Sequence, residues 1–183
     1  MALMRTDTSG MRTNPYWYAA NPYYLAGNGL PGAECYAWGR FWEGSAIDGA
    51  FSNRPLLDPN QDASQWVYYT QDGYTRQRTL NTSTDQIGGN VACYYTTSGP
   101  GHVAIIEGYE HIAGSGDRLI ASEFYNGEFR TVNIGLDGQY MGNTTEHLYF
   151  QSFIMPAHWG AQTSSPQTLG MGKKIFKVNR GII

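Results

Sequence analysis

A cysteine, a histidine and a carboxylate are placed along this sequence in a way that could support thiol chemistry. Cys35 opens a run in which Cys35, Trp38 and Trp42 recur at helical spacing, so we expect a helix that begins at about Glu34–Cys35. Unpaired backbone N–H groups and the helix dipole at a first turn stabilise a thiolate, and the same N–H groups can hold an oxyanion. Cys35 is therefore the predicted nucleophile.

The predicted base is His102, which opens a strand directly after the small-residue turn 98–101. Glu123 ends the next predicted strand, and its carboxylate can reach the far ring nitrogen of His102 if the two strands pair. Asn126 is the alternative orienting residue, although Asn126-Gly127 also fits a hairpin turn. A thiol hydrolase needs a nucleophile, a base and a group that orients the base. The candidate catalytic residues are thus Cys35, His102, Glu123 and Asn126.

The second cysteine, Cys93, lies in a different context. It is inside the apolar run 91–95, where burial would raise the pKa of its thiol. The two cysteines could form a disulfide, but a chain of this size made in a cytoplasm does not need one. We therefore expect Cys35 to be free and reactive and Cys93 to belong to the core.

The elements that must position these side chains follow from hydrophobic alternation and turn residues. Strands are predicted at 66–70, 91–95, 102–109, 118–125 and 129–134, with a closing strand at 153–156. Turns are predicted at 98–101, 114–117 and 126–127. With the cysteine on an N-terminal helix packed on this antiparallel sheet, the pattern predicts an α+β fold.

Composition favours one compact domain, since 41% of the 183 residues are hydrophobic and only 15% are charged. We place this domain at residues 1–160. Residues 161–170 are rich in Ser, Thr, Pro and Gln, which is typical of a linker, and four basic residues follow at 173–180. We interpret 161–183 as a linker and basic tail, the start of a second, truncated C-terminal module.

Charge and hydropathy exclude several classes of partner. The formal charge is −3 and all fifteen acidic residues precede residue 147, which argues against nucleic acid. No stretch of eighteen apolar residues exists, so we expect no membrane insertion. The N-terminus lacks the apolar core of a signal peptide, so we expect synthesis in a host cytoplasm. His111, His147 and His158 lack ligand-like spacing, so neither metal nor cofactor is expected.

Three segments resemble the motifs of the CHAP family, the cysteine, histidine-dependent amidohydrolases/peptidases. They are Ala-Glu-Cys-Tyr-Ala-Trp-Gly-Arg-Phe at 33–41, Gly-His-Val-Ala-Ile-Ile at 101–106 and Ser-Glu-Phe-Tyr-Asn at 122–126. The resemblance covers roughly residues 15–157. It implies a papain-like α+β fold with Cys35 as nucleophile, His102 as base and Glu123 as orienter. It also implies cleavage of bacterial peptidoglycan, by an N-acetylmuramoyl-L-alanine amidase or a peptide endopeptidase.

The leading hypothesis is accordingly a monomeric phage endolysin or virion-associated lysin that acts on the wall after release or as part of a virion. A non-catalytic wall- or carbohydrate-binding module is one alternative, favoured by Glu34, where the family often has Gln. A papain-like peptidase that acts on other substrates is a second alternative. Aromatic residues are abundant, and some of them could line a groove for glycan or peptide stems, because sugar faces stack well on aromatic rings.

Overall fold

The structure is a computed structural model that describes residues 33–34, 36–37, 39–40, 62–68, 75–85 and 87–155. Cys35 lies outside the described residues, as do the predicted linker and tail at 161–183. The boundary proposed near residue 160 therefore stays a prediction.

Six strands form one antiparallel sheet in the described part of the chain. They are β1 Thr75–Gln77, β2 Val91–Tyr95, β3 His102–Ile112, β4 Gly116–Tyr125, β5 Glu128–Ile134 and β6 Tyr149–Met155. Their order is β1-β6-β2-β3-β4-β5, so β2 to β5 form a meander while β6 lies between β1 and β2. The meander places the starts of β3 and β5 on opposite sides of the end of β4.

Most of the predicted strands are confirmed. The strand at 91–95 has the predicted bounds, and the strands predicted at 102–109, 118–125 and 129–134 correspond to β3, β4 and β5. The hairpin turn at Asn126-Gly127 is also confirmed, because these residues have φ of 51° and 79° and join β4 to β5. Two successive residues with positive φ match the twist of an antiparallel hairpin.

The strand predicted at 66–70 is wrong. Trp66 ends a short helix, α1, at Ala63–Trp66, and residues 67–68 form a turn. Tertiary contacts explain the difference, since Trp66 is 1% exposed and packs in the core with Ala63. The bulky apolar residues resemble a strand in sequence, but Trp66 is buried as part of a helix, because packing in the core overrides strand propensity.

Two clusters of apolar side chains cover the two faces of the sheet. Val91, Cys93, Val103, Ile105 and Ile154 pack against α1, Ala33 and Ala37, and we call this the helix face. Tyr94, Ala104, Ile106, Ala121 and Phe153 belong to the second cluster, on what we call the histidine face. Alternation along each strand produces this division.

The predicted fold class is wrong. The described chain is mostly a six-stranded antiparallel sheet, and its helical residues are those of α1 and the described positions between 33 and 40. This is an all-β-like arrangement and not the predicted papain-like α+β fold. The described residues between 33 and 40 are helical, and Ala33 and Ala37 pack against the helix face of the sheet. The physical reason is that burial of apolar side chains stabilises long strands, and β3 and β4 each contain six buried residues.

Candidate active site around His102 and Glu123

The start of β3 and the end of β4 bring together a buried histidine and a buried carboxylate. Nε2 of His102 lies 2.7 Å from Oε2 of Glu123, and the two side chains are 4% and 0% exposed. His102 pairs with Tyr94 across the sheet and Glu123 pairs with Arg130, so both side chains lie on the histidine face. The contact expected from strand pairing is therefore present.

The other oxygen of Glu123 is held by two further side chains. Oε1 accepts hydrogen bonds from Arg130, through Nε at 3.0 Å and Nη2 at 2.6 Å, and from the hydroxyl of Tyr140 at 2.5 Å. The same guanidinium donates to the backbone oxygen of Asn143 at 2.6 Å and lies 4.2 Å from the ring centroid of Tyr125. Every oxygen of the buried carboxylate thus has charge-assisted or hydroxyl donors.

These contacts keep Glu123 ionised. Burial by itself would raise the pKa of Glu123, but the hydrogen bond and charge of His102 oppose it. Tyr140 and Arg130 add to this effect, and the net result is a lowered pKa for Glu123. The pKa of Tyr140 is raised, by burial first and then by the neighbouring carboxylate, so its hydroxyl stays a donor.

Aromatic rings enclose the imidazole of His102. The ring centroids of Tyr125 and Tyr140 lie 5.3 and 6.2 Å away in edge-on arrangements, and that of Tyr94 lies 6.4 Å away. Among the described residues, Nδ1 of His102 has no hydrogen-bond partner, whereas Nε2 is engaged by Glu123. The ring is therefore fixed in orientation with one nitrogen left for proton transfer.

A tight contact with α1 determines where β3 begins. Gly101 has φ of +90°, and a Cβ there would lie 2.6 Å from the backbone oxygen of Tyr94 and 2.7 Å from the backbone nitrogen of Ser64. The N–H of Ser64 donates to the backbone oxygen of Pro100 at 2.8 Å. Only glycine fits such an approach, so this turn holds His102 directly beside α1.

Glu34, the chain neighbour of Cys35, contacts the same helix. Its Oε1 accepts the backbone N–H of Ala63 at 3.0 Å, and the side chain is buried. Burial raises the pKa of Glu34, while backbone hydrogen bonds and the charge of His102 oppose the rise. Glu34 thus lies against α1, the helix that contacts the turn preceding His102.

A buried polar network anchors the helical residues near Cys35 to the sheet. Arg40 forms a two-point ion pair with Glu107 of β3, with distances of 2.9 and 2.8 Å. Ser122 of β4 donates to Glu107 at 2.5 Å and accepts from the hydroxyl of Tyr36 at 2.6 Å. These contacts are on the helix face, so the route from Glu34 to His102 runs around the start of β3, past α1 and Gly101.

The structure brings His102 and Glu123 together and places Asn126 elsewhere. Asn126 occupies the hairpin turn, and its Nδ2 lies 3.5 Å from Oγ1 of Thr145. Cys93 is a free, buried cysteine on the helix face, and burial raises the pKa of its thiol as predicted. The predicted nucleophile, Cys35, lies outside the described residues.

Sequence reasoning missed Arg130 and Tyr140. A signal for Arg130 was present, because a two-residue turn at 126–127 sets the register that pairs Glu123 with Arg130. Tyr140 has no such local signal, since it reaches Glu123 from a loop after β5 through an isolated bridge to Ile134.

Two features are absent from the described residues, a metal-binding cluster and a membrane-spanning helix. Within the described ranges, no group of three or more His, Cys, Asp or Glu side chains could hold a metal ion. No helix in the described part of the chain has the length and apolar character needed to cross a membrane. Comparison of the chain with protein-family models, with curated proteins and with solved structures gives no match.

Proposed function

We propose that this protein is a cysteine-dependent amide hydrolase in which Cys35 is the nucleophile, His102 the base and Glu123 the residue that orients His102. The observation that carries the proposal is the buried contact of 2.7 Å between Nε2 of His102 and Oε2 of Glu123. An ionised carboxylate at this distance favours the tautomer with its proton on Nε2, which leaves the lone pair of Nδ1 to accept a proton. A base oriented in this way is what a thiol nucleophile requires.

The reaction follows from these roles. The Cys35 thiol transfers its proton to Nδ1 of His102, and the sulfur attacks the amide carbonyl carbon to form a tetrahedral oxyanion. The C–N bond then breaks, and the imidazolium returns the proton to the leaving amine. Water attacks the remaining thioester while His102 takes its proton, and this step releases the carboxylic acid and the Cys35 thiol.

Arg130 and Tyr140 serve as positioning residues for Glu123. They satisfy its Oε1 and help to lower its pKa, so the charge opposite His102 persists during the reaction. The proposal also requires the sulfur of Cys35 to reach Nδ1 at the start of β3. The hydrogen bonds that join Glu34 to Ala63 and Ser64 to Pro100 support this, because they bring the chain neighbour of Cys35 beside that strand end.

The proposed substrate is an amide bond in the peptide part of bacterial peptidoglycan, cleaved as an amidase or as an endopeptidase. This part of the proposal is supported by the three motif-like segments at 33–41, 101–106 and 122–126, which resemble those of the CHAP family. The site chemistry supports amide cleavage, and the resemblance supports the wall as its source.

The decisive experiment compares substitutions of the two cysteines. Purified Gram-positive wall should be cleared by the parent protein and release new amines, and Cys35→Ala should abolish both signals. Cys93→Ala is the matched control. Cys93 is buried in β2, so this substitution should alter stability without removing activity. If Cys35→Ala released amines as fast as the parent, the proposed mechanism would be wrong.

A non-catalytic wall-binding module is the second candidate, favoured by the carboxylate of Glu34 next to Cys35, since a negative charge there opposes a thiolate. Burial raises the pKa of Glu34, which favours its neutral form and weakens this objection. A binding module would sediment with insoluble wall and release no new amines. The experiment above therefore separates the two candidates.

A further inference from the structure

An open groove of about 950 Å³ lies beside the turn that precedes His102. Its wall includes Ser64 of α1 and Thr96, which follows β2. Ser64 donates to the backbone oxygen of Pro100 at 2.8 Å, and Oγ1 of Thr96 accepts the N–H of Gly99 at 3.0 Å. The groove thus borders the segment 96–101, which leads into β3, through Ser64 and Thr96.

Exposed aromatic rings dominate the surface of this groove. Tyr95 and Tyr149 stack with ring centroids 4.8 Å apart and an interplanar angle of 16°, and they are 41% and 38% exposed. His147 packs edge-on against Tyr149, with ring centroids 4.3 Å apart, and Tyr68, which also lines the groove, is 70% exposed. Clustered exposed rings of this kind indicate a binding surface.

The polar groups of the groove are mostly neutral. Its described lining contains hydroxyls and amides and no Asp, Glu or Lys. Arg78 and His147 are the lining residues that can carry a charge, and the guanidinium of Arg78 is engaged by the backbone oxygens of Phe150 and Gln151 at 3.2 and 2.5 Å. Oε1 of Gln151 is buried and has no hydrogen-bond partner among the described residues.

We infer that this groove binds the glycan strand of the wall, as a chain of N-acetylated amino sugars. Flat aromatic faces suit the C–H faces of pyranose rings, and neutral hydroxyls and amides suit their hydroxyl and acetamido groups. A charged peptide stem would need charged partners, which the lining largely lacks. The inference rests on the proposed function, because a glycan held here would present its attached peptide beside the turn that carries His102.

The test uses the Cys35→Ala protein, so that binding is measured without turnover. A soluble N-acetylglucosamine tetrasaccharide is titrated in a calorimeter and followed by NMR of the tyrosine rings. We expect saturable binding, with shifts at Tyr95 and Tyr149. Tyr95→Ala should weaken it about tenfold, as expected for loss of a central contact residue. Tyr95→Phe keeps the ring face and should bind like the parent, as should Met141→Ala, an exposed apolar residue outside the groove.

Three results would overturn the glycan assignment. They are no saturable binding of the tetrasaccharide, undiminished binding by Tyr95→Ala, or Tyr95-dependent binding of a sugar-free stem peptide in place of the tetrasaccharide. If Tyr95→Ala fails to fold, the NMR shifts of Tyr95 and Tyr149 in the Cys35→Ala protein still show whether the tetrasaccharide binds in this groove. These outcomes can be distinguished from a failure of the proposed function. Wall hydrolysis by Cys35→Ala would refute the proposed function, whereas the sugar titration measures binding and does not depend on catalysis.

Discussion

Replacing Glu123 by glutamine tests the orientation of His102 with almost no change in shape. The three donor groups on Oε1, two N–H groups of Arg130 and the hydroxyl of Tyr140, should hold the amide oxygen of the new side chain at that position. The amide NH₂ then occupies the position of Oε2 and faces Nε2 of His102 at the present 2.7 Å. A donor there forces the imidazole to accept at Nε2 and to carry its proton on Nδ1.

The expected effect on rate is large because the proton sits on the wrong nitrogen. Proton transfer by a positioned base contributes about 10²- to 10⁴-fold to a rate, so Glu123→Gln should lower wall hydrolysis by about that factor. The assay is amine release from purified peptidoglycan at neutral pH, together with ¹⁵N NMR of His102 to read the tautomer directly. The NMR reading separates a change of tautomer from a general loss of structure.

The matched control is Glu128→Gln, the same substitution at an exposed carboxylate at the start of β5. It should leave both the rate and the tautomer unchanged. A Glu123→Gln protein that keeps the parent's rate, or that loses activity with the proton still on Nε2, would refute the reasoning.

Three further predictions concern the framework of the site. Glu107→Gln should lower the free energy of unfolding by about 3–5 kcal/mol in urea denaturation, because it removes the charge of one partner of the buried ion pair between Arg40 and Glu107. Gly101→Ala should lower the free energy of unfolding by about 1–3 kcal/mol, because alanine is strained in the left-handed backbone conformation of this residue. The added Cβ would also lie 2.6 Å from the backbone oxygen of Tyr94, which should lower stability further and reduce activity. Because folding lowers the pKa of Glu123, the ionised side chain stabilises the fold at pH values above 4.5, the ordinary pKa of a glutamate. The thermal stability of the parent should therefore fall as the pH drops below 4.5, and that of Glu123→Gln should fall less.

Each of these predictions has a control. Glu128→Gln is the control for Glu107→Gln, because it removes an exposed carboxylate. If it lowered stability as much as Glu107→Gln does, the role given to the buried ion pair would be contradicted. Gly114→Ala serves for the backbone, because Gly114 has φ of +81° with no atom within 4 Å of an added Cβ. Gly114→Ala should lower stability through backbone strain alone, without a clash of the added Cβ. If Gly101→Ala and Gly114→Ala lowered stability equally, the close contacts of Gly101 with Tyr94 and Ser64 would not contribute. An identical acid response of parent and Glu123→Gln would show that Glu123 does not contribute.

Local patterns predicted the meander and half of the site. Alternating apolar residues located β2, β3, β4 and β5, and Asn126-Gly127 marked the hairpin between β4 and β5. Strand pairing then implied the contact between His102 and Glu123, because neighbouring antiparallel strands bring the start of one beside the end of the next. The same register could have identified Arg130 as the partner of Glu123.

The sequence by itself determined the strands of the meander and the residue types at the start of β3, because alternation and turn chemistry are local properties. Tertiary structure alone decided that β6 lies between β1 and β2 and that Trp66 is buried from a helix. It also decided that Tyr140 completes the shell of Glu123. These outcomes depend on burial and hydrogen bonding between residues far apart in the chain, and such contacts leave no period or motif in the sequence from which they could be predicted.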